Sequence, residues 1–115
     1  MIKAELSEIL HACCDHVYDS ITANDDQNTF PRIVYWSYAW DWINGSGVVA
    51  GDLRTYQISI WGTVPPEQNT AVLALREALK ERGCYPTFHH EYVKEDRAFH
   101  TYLALEVVED GERDE

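Results

Sequence analysis

The chain has 115 residues, of which 45% are hydrophobic and 25% charged, and its 20 Asp and Glu against 9 Lys and Arg give a formal net charge of -11. This length suits one hydrophobic core, and the composition is far from that of a disordered chain. A surface this acidic repels phosphate, which disfavours tight DNA or RNA binding. We expect one α+β domain over residues 1–107 and an acidic, frayed tail over residues 108–115.

The first residues predict a helix and no export signal. Across residues 2–18, apolar side chains recur every three or four positions, the spacing of an amphipathic helix. Charged residues interrupt this stretch, so it lacks the apolar centre of a signal peptide, and no other stretch is long enough to span a membrane. We therefore expect a protein that begins in a cytoplasm, where Cys13, Cys14 and Cys84 remain free, buried or half-buried thiols.

Two strands are predicted next. Turn-forming residues over 19–29 predict a loop that ends at Pro31. Residues 32–42 are rich in β-branched and aromatic side chains, which indicates a strand. Glycines within 43–52 predict a long hairpin connection, and the alternation over 53–61 predicts a second strand with one solvent-exposed face.

The second half predicts a helix and two more strands. Thr63 is a suitable N-cap for a helix over residues 66–82, which Gly83 would terminate. Residues 87–92 and 99–107 then read as strands joined by a charged turn. The predicted fold is two-layer α+β, with two helices packed on a mainly antiparallel four-stranded sheet in the order α-β-β-α-β-β. Such a core requires no cofactor.

The histidines of the last two strands are the strongest candidates for chemistry. Pairing of these strands would bring His89 or His90 opposite His100, with Glu91 nearby, and such side chains can bind zinc or iron. Neighbouring residues of a strand face opposite sides, however, so at most two histidines share a face. We therefore predict no metal site, with His90 and His100 as the weak candidates.

A cysteine nucleophile is the other chemical possibility. His11, Cys13 and His16 lie on the first predicted helix, but residues two or three apart there are poorly aimed at one another. The chain also contains no phosphate-binding loop, dinucleotide-binding fingerprint or triad motif. We expect a protein that is not an enzyme.

The aromatic strand is the most unusual segment. A two-layer sheet buries one face, yet this strand carries large side chains on both. Simple alternation places one set on a common side: Val34, Trp36, Tyr38 and Trp40. Two interpretations remain open: core packing with a few surface aromatics, which is common on monomers, or a protein-protein interface, where Trp and Tyr are enriched as anchors. We predict that interface at Trp40, Asp41 and Trp42 with the adjoining Gly45 and Gly47.

The chain resembles the tail-terminator and tail-completion proteins of long-tailed phages and their prophages. The similar features are an N-terminal helix and two strand phrases, which begin Phe30-Pro31-Arg32-Ile33-Val34-Tyr35 and Tyr56-Gln57-Ile58-Ser59-Ile60-Trp61. A Gly51-Asp52 loop precedes the second phrase, and a helix ending at Gly83 and the strand Phe99-His100-Thr101-Tyr102-Leu103-Ala104-Leu105-Glu106 follow it. The resemblance spans residues 3–107 without a catalytic signature, and the tryptophan content is its main departure.

The resemblance implies a structural subunit of the virion tail that is made in the host cytoplasm. Such subunits form a ring, here expected to be a hexamer, at the head-proximal end of the tail, where they stop tube growth and bind the head-tail connector. The implied partners are further copies of the chain, the tail-tube protein and connector proteins, with no membrane. DNA would pass through a lumen lined by carboxylates without specific binding, because like charges repel.

Two other functions remain open at this stage. An acidic host or phage module could bind a basic partner, with its charge clustered on one flank and strong salt dependence. A small enzyme could use a metal held by His90 and His100, and a stoichiometric bound ion would favour that function.

Overall fold

The computed structural model describes residues 1–22, 26–45 and 48–110 of the chain. It confirms an α+β fold with two helices, and corrects the sheet, which has five strands and is mixed. The elements in chain order are α1 (Lys3–Cys13), β1 (Val17–Asp19), β2 (Arg32–Gly45), β3 (Val48–Gly62), α2 (Thr70–Glu81), β4 (His89–Val93) and β5 (Ala98–Asp110).

The strands lie in the order β1-β2-β3-β5-β4. β1 runs parallel to β2, and every other neighbouring pair is antiparallel. One face of this sheet, the inner face, packs against both helices and supplies the buried side chains of alternate residues such as Tyr56, Ile58 and Ile60. We call the other face the bare face, because no helix of the described residues packs on it.

The first helix is shorter than the apolar spacing predicts. Leu6, Ile9 and Leu10 face the core as expected, but α1 ends at Cys13 because Cys14 is extended and its thiol lies 3.4 Å from the Pro31 carbonyl oxygen. The chain then forms β1, whose pairing with β2 begins at Val17. The prediction that the helix continues to residue 18 was wrong, because this partner strand is distant in sequence.

The hairpin between the two long strands was also predicted wrongly. Residues 43–52 were expected to form a connection, yet β2 continues to Gly45 and β3 starts at Val48. The ladder continues because Ile43 pairs with Gly51 and Gly45 with Val48. Cross-strand hydrogen bonds therefore outweigh the weak strand preference of the glycines in this segment.

The second helix begins four residues later than predicted. Pro66–Gln68 form a separate 3-10 turn, and Asn69, not Thr63, caps α2. The side-chain Oδ1 of Asn69 accepts hydrogen bonds from the backbone N–H groups of Ala71 and Val72 at 2.9 and 3.4 Å. Asn69 is buried against Gly62, the last residue of β3, which joins the start of α2 to the end of that strand.

The C-terminal strand extends beyond the expected domain boundary. β5 reaches Asp110 because it pairs with β3 as far as Gly51, so residues 108–110 belong to the sheet. The N–H of Val108 donates to the Met1 carbonyl oxygen at 2.9 Å, which ties this part of β5 to the start of the chain. The remaining predicted tail, residues 111–115, lies outside the described residues.

Candidate protein interface

The sheet is much longer than the helices that cover it. β2 and β3 have 14 and 15 residues, and strands of this length span roughly 45–50 Å, whereas helices of 11 and 12 residues span only about 17 Å. The molecule measures 50 × 31 × 22 Å. Its radius of gyration is 15.4 Å, against about 13 Å for a compact chain of this size. We call the distal halves of β2 and β3, residues 38–45 and 48–54, the arm.

A β-bulge at the base of the arm redirects its tryptophans. The register between β2 and β3 shifts at Tyr38, which is an extra residue relative to the partner strand. Beyond this point Trp40 pairs with Arg54 on the inner-face side, whereas Trp36 remains on the bare face. The prediction that Trp36, Tyr38 and Trp40 share one face was therefore wrong for Trp40, because one extra residue reverses the alternation.

The two arm tryptophans are largely exposed, at 65% for Trp40 and 71% for Trp42. Trp40 is nevertheless held in place: its indole N–H donates to Ser37 Oγ at 2.8 Å, and the Arg54 guanidinium carbon lies 4.3 Å from its ring centroid. Arg54 in turn forms an ion pair with Asp52 at 3.2 Å. An exposed ring whose orientation is already fixed loses little conformational entropy on binding, which favours an interface anchor.

The other predicted interface residues fall in different parts of the arm. Asp41 is exposed between the two tryptophans and pairs across the ladder with Leu53. Gly45 is the last residue of β2. Gly47 lies outside the described residues. The structure thus places Trp40, Asp41 and Trp42 together on β2.

A row of stacked rings crosses the bare face and was not predicted. The rings of Trp61 and His100 are parallel to within 10° with centroids 4.2 Å apart. Tyr102 stacks on His100 at 5.1 Å and on His89 at 5.1 Å. These rings come from β3, β5 and β4 and meet only because the strands pair in this register. The sequence could have predicted the row only if it had predicted that register.

Arg32 packs against Trp61 at one end of this row. Its guanidinium carbon lies 5.0 Å from the Phe30 ring centroid and 5.4 Å from that of Trp61, and it donates to the Gln27 carbonyl oxygen at 2.8 Å. Arg32 is 8% exposed, and burial lowers the pKa of its guanidinium. The Nε of Arg32 and the Nε2 of His100 are buried without a hydrogen-bond partner. The stacked rings therefore cover these two polar atoms.

The two weak metal candidates do not meet. His90 pairs with Thr101 on the inner-face side, where its Nδ1 lies 2.9 Å from Thr101 Oγ1. His100 lies on the bare face, with its Nδ1 2.8 Å from Glu91 Oε2. Within the described residues no three His, Cys, Asp or Glu side chains gather into a metal-binding group.

The cysteines near the end of α1 lack the features of an activated nucleophile. Cys13 packs against the core, and burial raises the pKa of its thiol. His11 bonds within its own helix, where its Nδ1 lies 2.8 Å from the Ser7 carbonyl oxygen. Burial also raises the pKa of Cys14, which favours the neutral thiol over the reactive thiolate.

In the part of the chain that the structure describes, neither helix is long and apolar enough to cross a membrane. Comparisons with protein-family models, with curated proteins and with solved structures gave no match. The surface that combines fixed geometry with exposed anchor side chains is the arm.

Proposed function

We propose that this chain is a structural assembly subunit, not an enzyme, and that the arm is its docking element. The observation that carries this proposal is the exposure of Trp40 and Trp42 on a strand that the helices are too short to cover. Tryptophan is the residue most enriched at energetic centres of protein interfaces. Because both rings are mostly exposed, their burial contributes little to the stability of the monomer.

The specific setting that we propose is the tail of a long-tailed phage or prophage, as a tail terminator or head-tail joining subunit. The strand phrases around Pro31 and Ile58 support this setting, as does the order of elements, which apart from the added β1 is the one that the resemblance rests on. In it, copies of the chain form a ring that contacts the tail-tube protein on one side and the connector on the other. The ring would be a hexamer located at the head-proximal end of the virion tail.

The charge of the chain is compatible with that location. A net charge of -11 would make a ring lumen repel the DNA that passes through it, so that DNA slides without being retained. A lumen lined by lysine and arginine would contradict this part of the proposal.

The test is binding to assembled tail tubes. The proposed setting expects a tail-tube gene immediately downstream of this one. The wild-type chain should sediment with tubes of that protein, and Trp40→Ala/Trp42→Ala should lose that binding. Tyr85→Ala is the matched control, because Tyr85 is 77% exposed and lies outside the arm. Equal binding of the double variant and the wild type would refute the role of the arm, and absence of binding by the wild type would refute the tail setting.

A further inference from the structure

The arm has an open strand edge. β1 covers β2 only from Ile33 to Tyr35, and beyond it the other side of β2 has no strand neighbour among the described residues. Apart from the ladder with β3, no backbone hydrogen bond of the described chain involves residues 36–45. Unpaired N–H and C=O groups along a strand edge are a template for another strand.

This edge lacks the side chains that normally prevent pairing. Residues 36–45 contain no Lys, Arg or Pro, and Asp41 is their one charged residue. β4, on the other side of the sheet, has five residues, includes Glu91 and runs directly into the charged turn 94–97. Short length and charge are recognised ways of blocking edge pairing. β4 has both, whereas the free edge of β2 over residues 36–45 is long and carries only Asp41 as a charged residue. This edge is therefore the less protected of the two.

The exposed area suits a second copy of the chain. Trp36, Tyr38, Trp40 and Trp42 are 45, 51, 65 and 71% exposed, and at about 200 Å² per ring they leave roughly 450 Å² of aromatic surface on each copy. Complete burial of these rings in two copies would account for at most about 900 Å², to which the paired main chains add further area. A stable interface needs roughly 1,200–2,000 Å² in total. The edge of β2 over residues 36–45 therefore offers a second copy a contact at the small end of this range.

We propose that the edge of β2 in the arm pairs antiparallel with the same edge of a second copy, so that the two sheets become continuous. This inference rests on the proposed role of the arm as a docking element. Two identical antiparallel strands are related by a two-fold axis, so the contact is isologous. This isologous contact joins only two copies. A ring is closed by heterologous contacts, which would use a different surface of each subunit.

Electrostatics gives this contact a characteristic salt dependence. Each copy carries a net charge of -11, so two copies repel one another at low ionic strength, and salt screens that repulsion. Added salt should strengthen pairing with a second copy, whereas it would weaken binding to a basic partner. Asp41→Asn should strengthen pairing several-fold, because it removes a negative charge from each facing strand.

Sedimentation of the purified chain tests the proposal over a range from about 10 µM to about 1 mM, which covers weak dimers. We expect a monomer–dimer equilibrium that tightens with salt, at least a tenfold weaker dimer for Trp40→Ala/Trp42→Ala, and no change for Tyr85→Ala. Amide hydrogen exchange supplies a second readout. Alternate amides of residues 39–43 should exchange about tenfold more slowly in the dimer, since paired main chains protect them.

A monomer throughout this range would overturn the proposal. So would a dimer in which the arm amides exchange as in the monomer, because that dimer would use another surface. These outcomes are separate from the tube-binding result. If the chain is monomeric but binds tubes, only the self-pairing proposal is refuted. If the chain forms an arm-paired dimer that does not bind tubes, only the tail setting is refuted.

Discussion

Gly62→Ala should destabilise the fold sharply, because a side chain at this position conflicts with the cap of α2. A Cβ on Gly62 would clash with Asn69 Nδ2 and lie 3.4 Å from its Cγ. Asn69 is 4% exposed, and its Oδ1 accepts two backbone hydrogen bonds, so it cannot turn away without uncapping the helix. Loss of an N-cap costs about 1 kcal/mol and overpacking about 1–3 kcal/mol. The free energy of unfolding should therefore fall by about 2–4 kcal/mol.

Urea unfolding of a double-mutant cycle measures this conflict. Asn69→Ala alone should cost about 1–2 kcal/mol, and in that background Gly62→Ala should cost less than about 1 kcal/mol, because the clashing atom is gone. Gly83→Ala is the control: it meets no atom within 4 Å but has a φ of 75°, so its cost of about 1 kcal/mol should not depend on Asn69. Additive effects of Gly62→Ala and Asn69→Ala would refute the reasoning.

Other predictions concern the core, the thiols, alkaline pH and the arm. Leu75→Ala should lower the free energy of unfolding by about 2–5 kcal/mol in urea titrations, since Leu75 is fully buried. Cys14 should react with a thiol reagent much more slowly than free cysteine until the protein unfolds, and fast labelling of folded protein would contradict its raised pKa. The hydrogen bond to Asp19 raises the pKa of Lys3. The resulting stabilisation is fully present below the pKa that Lys3 has in the unfolded chain, and it is lost as the pH rises through the pKa that Lys3 has in the folded protein. Thermal melts above about pH 10 should show this small loss, and Lys3→Met should remove it. Trp40→Ala/Trp42→Ala should change the free energy of unfolding by less than about 1 kcal/mol, because both rings are mostly exposed; a larger loss in urea titrations would mean that they belong to the core.

The spacing of apolar residues in the sequence correctly predicted the elements that bury one face in the core. The apolar spacing of Leu6, Ile9 and Leu10 located α1, and the alternation around Ile58 located the buried face of β3. These signals are strong because each element buries one face in the same core. The α+β class followed from them.

Features that depend on distant residues were missed. β1 has three residues, too few for a periodic pattern, and it exists because Val17 meets Ile33 across a long loop. The bulge at Tyr38 is equally invisible in sequence, since nothing local shows that the register with β3 slips by one residue. It changed the face of Trp40 and so changed the geometry of the predicted interface.

The predicted interface residues were chosen for composition, and the structure adds the reason that they are exposed. Helices of three turns cannot cover strands of about 45 Å, so the aromatic end of β2 remains in water. The sequence pattern underestimated the lengths of β2 and β3, because residues 43–52 were predicted to be a connection. The ladder between β2 and β3 continues through the pair Ile43 and Gly51, so this segment forms two paired strands and not a loop.

The most direct test of the assembly role is a tube-growth assay with the tail-tube protein that the proposed setting expects to be encoded immediately downstream of the gene for this chain. Electron microscopy should show that wild-type protein limits tube length and sits at one tube end, whereas Trp40→Ala/Trp42→Ala allows tubes to grow on. Tubes of unchanged length distribution with the wild-type chain, and no density at their ends, would contradict the proposed function.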